Sequence, residues 1–287
     1  MTVKNLSIRC YASTEQMERK DNQDFYFSDE SSGLYLVADG MGGFEGGAVA
    51  SRLASHLAHK FVNSIDAVFA HSSGMNAYDK ILRAAIKEIH DCIVDESERL
   101  AFDKMGCTLV FLLFRDKKAY VVNAGDSPCY VYSEESLRQI TRSHSKVDQM
   151  VRDEKISKKE ARTHPNRNIV TRCLGGKYEL ARADIHVMEY YKNDRFFLCT
   201  DGVTKVLTDD EIKSFMKIKS PKQAIEKMME AIKAAPPERS STSGKIIAKD
   251  NATTMIVDVI SLAKKEAQKK VGIRLEKVRK GEDTLID

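Results

Sequence analysis

No two of the six cysteines form a CxxC pair, and their spacing suggests neither a zinc site nor a disulfide framework. Cys10, Cys92, Cys107, Cys129, Cys173 and Cys199 are scattered, several within apolar strand-like runs. They read as reduced core thiols in a reducing compartment. No stretch of 18 apolar residues occurs, and the opening residues MTVKNLSIRCYAS carry no apolar leader. Neither a membrane span nor an export signal is therefore expected, which points to a cytoplasmic protein. The net charge of +4 is too small for a dedicated nucleic-acid binder. Only five prolines and no internal repeat interrupt the chain. What remains is an ordinary globular composition, 42% hydrophobic and 31% charged over 287 residues. That is enough to bury a substantial core, as one large domain or two small ones.

Apolar runs and alternation predict strands near residues 6–12, 24–28, 34–38, 108–114, 119–123, 129–132, 185–189, 195–200 and 253–260. Helical spacing appears over 47–64, through Val49, Leu53, Leu57 and Phe61. It returns over 78–100, through Ile81, Ala85, Ile89 and Ile93. Shorter helices fit 146–154, 157–162, 209–216 and 221–235, the last with Ser220 as N-cap before Pro221. This order is not a βαβα alternation, so an α+β layered fold with antiparallel sheets is favoured over a doubly wound parallel one. The segment PPERSSTSGK, 236–245, reads as a surface loop. Residues 262–287 form a charged extension after the domain at 1–261. Leu262, Ala267, Val271, Leu275 and Val278 share a helical face there, which suits either a solvated helix partly packed on the domain or a contact with a partner or an anionic surface.

Aspartates at strand ends carry the chemistry. Asp39 closes the run YLVA and precedes Gly40; Asp201 closes RFFLCT and precedes Gly202. Asp250 stands before Asn251 and the strand ATTMIVDV, and Asp126 follows AYVVNAG. One Asp-Gly alone is usually a turn. Several strand-end carboxylates together would repel one another and so imply bound cations. Oxygen ligands without nearby His or Cys point to Mg²⁺ or Mn²⁺ rather than zinc. Glycine beside a carboxylate lets a metal or phosphate approach the backbone. In "ERKDNQD", Arg19 is either a surface charge or a planar fork for a phosphate.

Taken together, RKDNQD, LVADGMGG, GCT, NAGDS, ITRSHSKVDQMVR, HPNRNIVTRCLGG, FLCTDGV and DNATTMIV occur in one order between residue 19 and about residue 258. The chain resembles the metal-dependent serine/threonine protein phosphatases of the PP2C (PPM) family, the bacterial members above all. The resemblance implies a four-layer α-β-β-α sandwich with two central antiparallel sheets and a metal channel at one end of them. It implies hydrolysis of phosphoserine and phosphothreonine in proteins by water that two Mn²⁺ or Mg²⁺ ions activate, without a phosphoenzyme. Asp39 would bridge the two ions and the Gly40 carbonyl would bind one. Asp201 and Asp250 would complete the first ion's ligands, and Asp24 would act chiefly through water. Asp126 with Asp201 resembles the third-metal site of bacterial members, although Asp126 could equally cap its own turn. Arg19 would hold the substrate phosphate, and residues 143–165 match a flap beside the site. The implied partners are phosphorylated proteins, substrates of a Ser/Thr kinase, met by a monomer.

The chain also departs from the family pattern. Met41 stands where many eukaryotic members carry a histidine, which leaves the general acid unassigned. Gln23 replaces a common glutamate, Pro128 an arginine, Ser143 an aspartate and Gln16 a glycine. None of these removes a core ligand. Cys173 is followed by LGGKYEL, so no HCx₅R loop exists, and no GK[ST] follows the glycine-rich stretch. Two other functions remain alternatives: a phosphoprotein-binding module that has lost turnover, and a phosphatase specific to an anti-sigma-type switch.

Overall fold

The computed structural model describes residues 6–42, 45–69, 75–102, 104–176, 182–236, 238–239 and 246–261. The first part of the chain contains β1 (Ser7–Glu15), β2 (Asp24–Asp29), β3 (Leu34–Met41), α1 (Glu45–Phe69) and α2 (Met75–Arg99). A run of strands follows: β4 (Gly106–Cys107), β5 (Leu109–Arg115), β6 (Lys118–Ala124), β7 (Cys129–Ser133) and β8 (Ser136–Gln139). Then come α3 (Lys146–Arg152), α4 (Lys158–Thr163), β9 (Leu174–Gly175), β10 (Asp184–Glu189) and β11 (Arg195–Cys199). The chain ends through α5 (Asp201–Thr204), α6 (Asp209–Met216), α7 (Pro221–Ala234), β12 (Glu238–Arg239), β13 (Ile246–Ile247) and β14 (Ala252–Ser261).

Two antiparallel sheets form. One runs β1-β14-β11-β7-β8; the other runs β10-β6-β5-β3-β4-β9, with β2 also on β3. Side chains alternate across a strand, so each central strand contributes to two cores. Tyr35, Val37, Val110 and Leu112 meet Phe196, Leu198, Met255 and Val257 between the sheets. Leu34, Leu36, Phe111 and Leu113 turn the other way, onto α1 and α2. Phe197, Cys199 and Ile256 face Ile212, Ile225, Met228 and Ile232 of α6 and α7. This is the expected four-layer α-β-β-α sandwich.

The helices lie on the sheets differently from the simplest reading of their pattern. On α1 the deepest stripe is Ala50, Ala54, Ala58 and Val62, while Val49, Leu53, Leu57 and Phe61 pack only partly buried beside it. Small side chains bring the helix backbone close to the sheet, and the larger ones close the flank. On α2, Leu82 and Ile86 join Ile89 and Ile93 in the core, whereas Ile81 is partly buried. Part of the proposed 236–245 loop is also ordered, since Glu238 and Arg239 pair with Ile247 and Ile246 in a two-stranded ribbon. The charged extension at 262–287 lies outside the described residues. All six cysteines are free, four of them buried. Among the described residues no helix is long and apolar enough to cross a membrane.

Candidate active site

Register brings the first two carboxylates together. β2 and β3 pair so that Asp24 stands directly opposite Asp39. Like charges placed opposite each other across strands are destabilising unless something compensates them. The Asp39 amide donates to the Thr108 hydroxyl oxygen at 3.2 Å, and its carbonyl accepts from the Thr108 amide at 2.8 Å, which ties the end of β3 to the start of β5. Gly40 is obligatory here: a Cβ would lie 2.1 Å from the Gly47 carbonyl oxygen and 2.6 Å from that of Gln23. The opening of α1 and the residue before Asp24 therefore pack directly on the backbone beside Asp39. Gly202 has the same role in the other sheet, where a Cβ would meet the Asn251 carbonyl oxygen at 1.9 Å and part Asp201 from Asp250.

Asp24 links the two sheets. Its Oδ2 accepts from Thr200 Oγ1 and Thr253 Oγ1, each at 2.8 Å. Thr253 is joined in turn to Thr14 Oγ1 at 2.7 Å, and Asn22 donates to Thr14. These threonines escaped the sequence reading because nothing in it shows that residues 176 and 229 positions from Asp24 share its carboxylate. Asp126 follows β6 and takes a hydrogen bond from its own backbone N–H, as a turn residue would. Its Oδ1 nevertheless stays buried without a partner, as do Asp24 Oδ1 and Asp201 Oδ1.

The five carboxylates feel one another. Burial, then the charges of Asp24, Asp201, Asp250 and Asp126, push the Asp39 carboxyl well above the usual carboxylate range. Burial outweighs two threonine hydrogen bonds at Asp24 and, with Asp201 and Asp250 nearby, raises it to about 7. Burial and Asp201 likewise raise Asp126 to about 7. Asp250 goes the other way. Burial works to raise its pKa, but Lys205 and Arg19 hold it below the ordinary value.

Both cations are in contact. Arg19, about half exposed, places Nη2 2.9 Å from Asp250 Oδ1. Lys205 Nζ lies 2.7 Å from Asp201 Oδ2 and 2.9 Å from Asp250 Oδ2. No sequence motif singles out Lys205, although Asp201 and Lys205 stand four residues apart on a helical turn, the spacing that makes side chains neighbours. Among the described residues, no three His, Cys, Asp or Glu side chains converge as a ready-made metal cage. The unpartnered oxygens of Asp24, Asp126 and Asp201 nonetheless fit a hard cation, because the donors are oxygen only.

A groove of about 780 Å³ opens beside Asp126 and Asp201. Its far wall is the α3–α4 segment, whose helices are capped by Ser145 and Ser157. His144 anchors this segment. Its Nδ1 accepts from the Gly125 amide at 3.1 Å, so the proton sits on Nε2, 3.2 Å from Asp184 Oδ2. Burial keeps this imidazole below its ordinary pKa despite Asp184. Arg142, Arg152, Lys158, Lys159, Arg162 and Arg167 line the groove and make it predominantly basic.

A two-sheet sandwich with an acidic, oxygen-only centre at one end and a basic groove beside it suits a class of hydrolase that acts on anionic substrates. The family model for protein phosphatase 2C matches residues 15–235. The serine/threonine phosphatase Stp of Listeria monocytogenes is 33% identical over 202 residues, covering 70% of this chain and 78% of that protein. The serine/threonine protein phosphatase PstP of Mycobacterium tuberculosis is 28% identical over 244 residues, 84% of this chain and 43% of that longer protein. The structure of the PstP catalytic domain in complex with two manganese ions superimposes with a TM-score of 0.73 at 25% identity, over 89% of this chain and all of that one. The chain belongs to the protein phosphatase 2C family.

Proposed function

We infer that this chain removes phosphate from phosphoserine and phosphothreonine in proteins, as a hydrolase that uses Mn²⁺ or Mg²⁺. The observation that carries the reading is the meeting of Asp24, Asp39, Asp126, Asp201 and Asp250 at one end of the sheets, with three buried carboxylate oxygens left unpartnered. Asp39, the Gly40 carbonyl, Asp24, Asp201 and Asp250 would hold two ions, with Asp39 shared, and Asp126 with Asp201 a third. Such ions, when bound, supply a nucleophilic water near neutral pH and positive charge for the phosphoryl oxygens.

The chain's own residues do the rest. The two threonine hydroxyls on Asp24 Oδ2 fix that carboxylate and leave Oδ1 turned to the cluster. Arg19, half exposed beside Asp250, exchanges part of that ion pair for two parallel N–H donations to the substrate phosphoryl group. The basic groove receives the peptide around the phosphorylated residue. The free thiols suit a reducing compartment such as the cytoplasm, and the substrates are those of a Ser/Thr kinase.

The test is phosphate release from a phosphothreonine peptide. Activity is expected to vanish in excess EDTA and return with Mn²⁺ or Mg²⁺. Full turnover after exhaustive chelation would overturn the metal reading, and binding without release would leave only a phosphoprotein-binding module.

Arg19→Ala is expected to raise KM and lower kcat/KM by about 10- to 100-fold, the loss of a charge-assisted contact. Mn²⁺ affinity should hold or rise, because Asp250 loses a competing cation. A collapse of metal binding with KM intact would make Arg19 a structural residue instead.

A further inference from the structure

Among the described residues, Asp201 and Asp250 are the two carboxylates of the cluster that a side-chain cation bridges. Lys205 leaves the end of α5 on the same helical face as Asp201 and touches one oxygen of each acid, at 2.7 and 2.9 Å. Burial works against its charge, yet the two carboxylates hold the ammonium charged well beyond the ordinary lysine range. Lys205 is only about a quarter exposed, so its charge is poorly screened by solvent. Arg19 already engages the other oxygen of Asp250. Asp24, Asp126 and Asp201 each keep one unpartnered oxygen, but among the described residues no lysine or arginine forms an ion pair with Asp24 or Asp126.

We propose that Lys205 is a built-in competitor for the divalent ion shared by Asp201 and Asp250, a conclusion that rests on the metal reading above. A small divalent ion such as Mg²⁺ sits at about 2.0–2.1 Å from the carboxylate oxygens that bind it. An ammonium hydrogen-bonded to the same two residues would then be within a few ångströms of it, where like charges repel strongly in a part-buried setting. Loading this arm of the site therefore requires Lys205 to swing out of the pair. Without the ion, Lys205 neutralises two acids that would otherwise repel each other and so holds the end of β11 against the start of β14. The consequence is an asymmetric site: the ion on the Asp201–Asp250 arm is held weakly and exchanges, and the metal-free fold is protected.

Calorimetric titration of Mn²⁺ into the EDTA-stripped and desalted chain tests this, read beside the melting temperature in EDTA. Lys205→Met keeps length and removes charge. It is expected to tighten the weaker Mn²⁺ step by about tenfold or more and to lower the metal-free melting temperature. Lys205→Arg keeps the charge and should retain weak binding. Lys205→Gln serves as a second neutral variant should the Met form not fold without metal. Unchanged or weaker Mn²⁺ affinity in both neutral variants, with the wild type binding normally, would overturn the competitor role alone. Absence of Mn²⁺ binding in the wild type and every variant would overturn the metal reading together with it.

Discussion

Asp39→Asn is expected to lower kcat/KM by at least ~10³-fold, the scale of losing a group that organises charge at the reacting phosphoryl centre. Asp39 faces Asp24 across the ladder, and its carboxyl feels Asp24, Asp201, Asp250 and Asp126 together. Neutralising it removes charge from both of the ions it would share, so Mn²⁺ affinity should fall in the same titration. The fold should not suffer. The amide relieves repulsion among the remaining acids, and the melting temperature in EDTA should equal or exceed that of the wild type. Near-normal turnover, or unfolding of the metal-free variant, would contradict this assignment.

The same electrostatics set a pH dependence. Asp24 and Asp126 are raised to about 7 by burial first and by their acidic neighbours next. In the unfolded chain both titrate near ~4. Between those values the metal-free folded state holds more protons than the unfolded one. The stability they contribute is present at low pH and is lost as pH rises through about 7. Buried His90 and His144 and half-buried His186, all lowered by desolvation, act in the opposite sense below their ordinary pKa of about 6.5. The decline is therefore read above that point. In EDTA the melting temperature should fall from pH 6.5 to 8, by less in Asp39→Asn, and Mn²⁺ should abolish the fall. A metal-free melting temperature that climbs through this range would rule out the raised carboxylates.

The second large effect lies at the other end of β11. Arg195 is buried and forms a fork with Asp258 of β14, Nε to Oδ1 at 2.5 Å and Nη2 to Oδ2 at 2.8 Å. Its remaining N–H groups reach the carbonyls of Met216, Ile218 and Lys219, which pins the α6–α7 turn to the sheet. Arg195→Met would leave a buried carboxylate and three carbonyls without their donor. The expected cost is about 3–5 kcal/mol, or roughly 6–15 °C in Tm for a chain of this size. Replacing both partners, Arg195→Met with Asp258→Leu, should recover much of that loss, because an apolar pair of similar volume removes the unpaired charge. Thermal melts of the three variants decide it. A double variant no more stable than the single one would mean that the carbonyl contacts, not the ion pair, hold this corner.

Much of this protein is legible in one dimension. The run Leu34–Ala38 is buried on both faces because it is apolar at every position. Predicted strands 24–28, 119–123 and 129–132 differ from β2, β6 and β7 by only a residue or two at their ends, because local alternation alone specifies them. Asp39, Asp126 and Asp201 could be picked out because each closes an apolar run beside a glycine, and Asp250 because it stands just ahead of one. Strand β8 and the one-turn helix α5 were not predicted, being too short and too polar to show a period.

What the chain alone could not disclose is who faces whom. That Asp24 lies opposite Asp39 is a matter of register, and a slip of one residue would send either carboxylate to the other face. That Thr200 and Thr253 hold Asp24 depends on two sheets stacking at one particular offset. That alanines rather than leucines form the deepest stripe of α1 depends on how closely the helix can approach the sheet. That Lys205 reaches Asp250, 45 residues away, depends on Gly202 letting the Asn251 carbonyl come within reach of α5. Residue type and spacing determined which groups could do chemistry. Packing between distant segments decided which of them share a charge, because electrostatic coupling falls with distance in space and takes no account of distance along the chain.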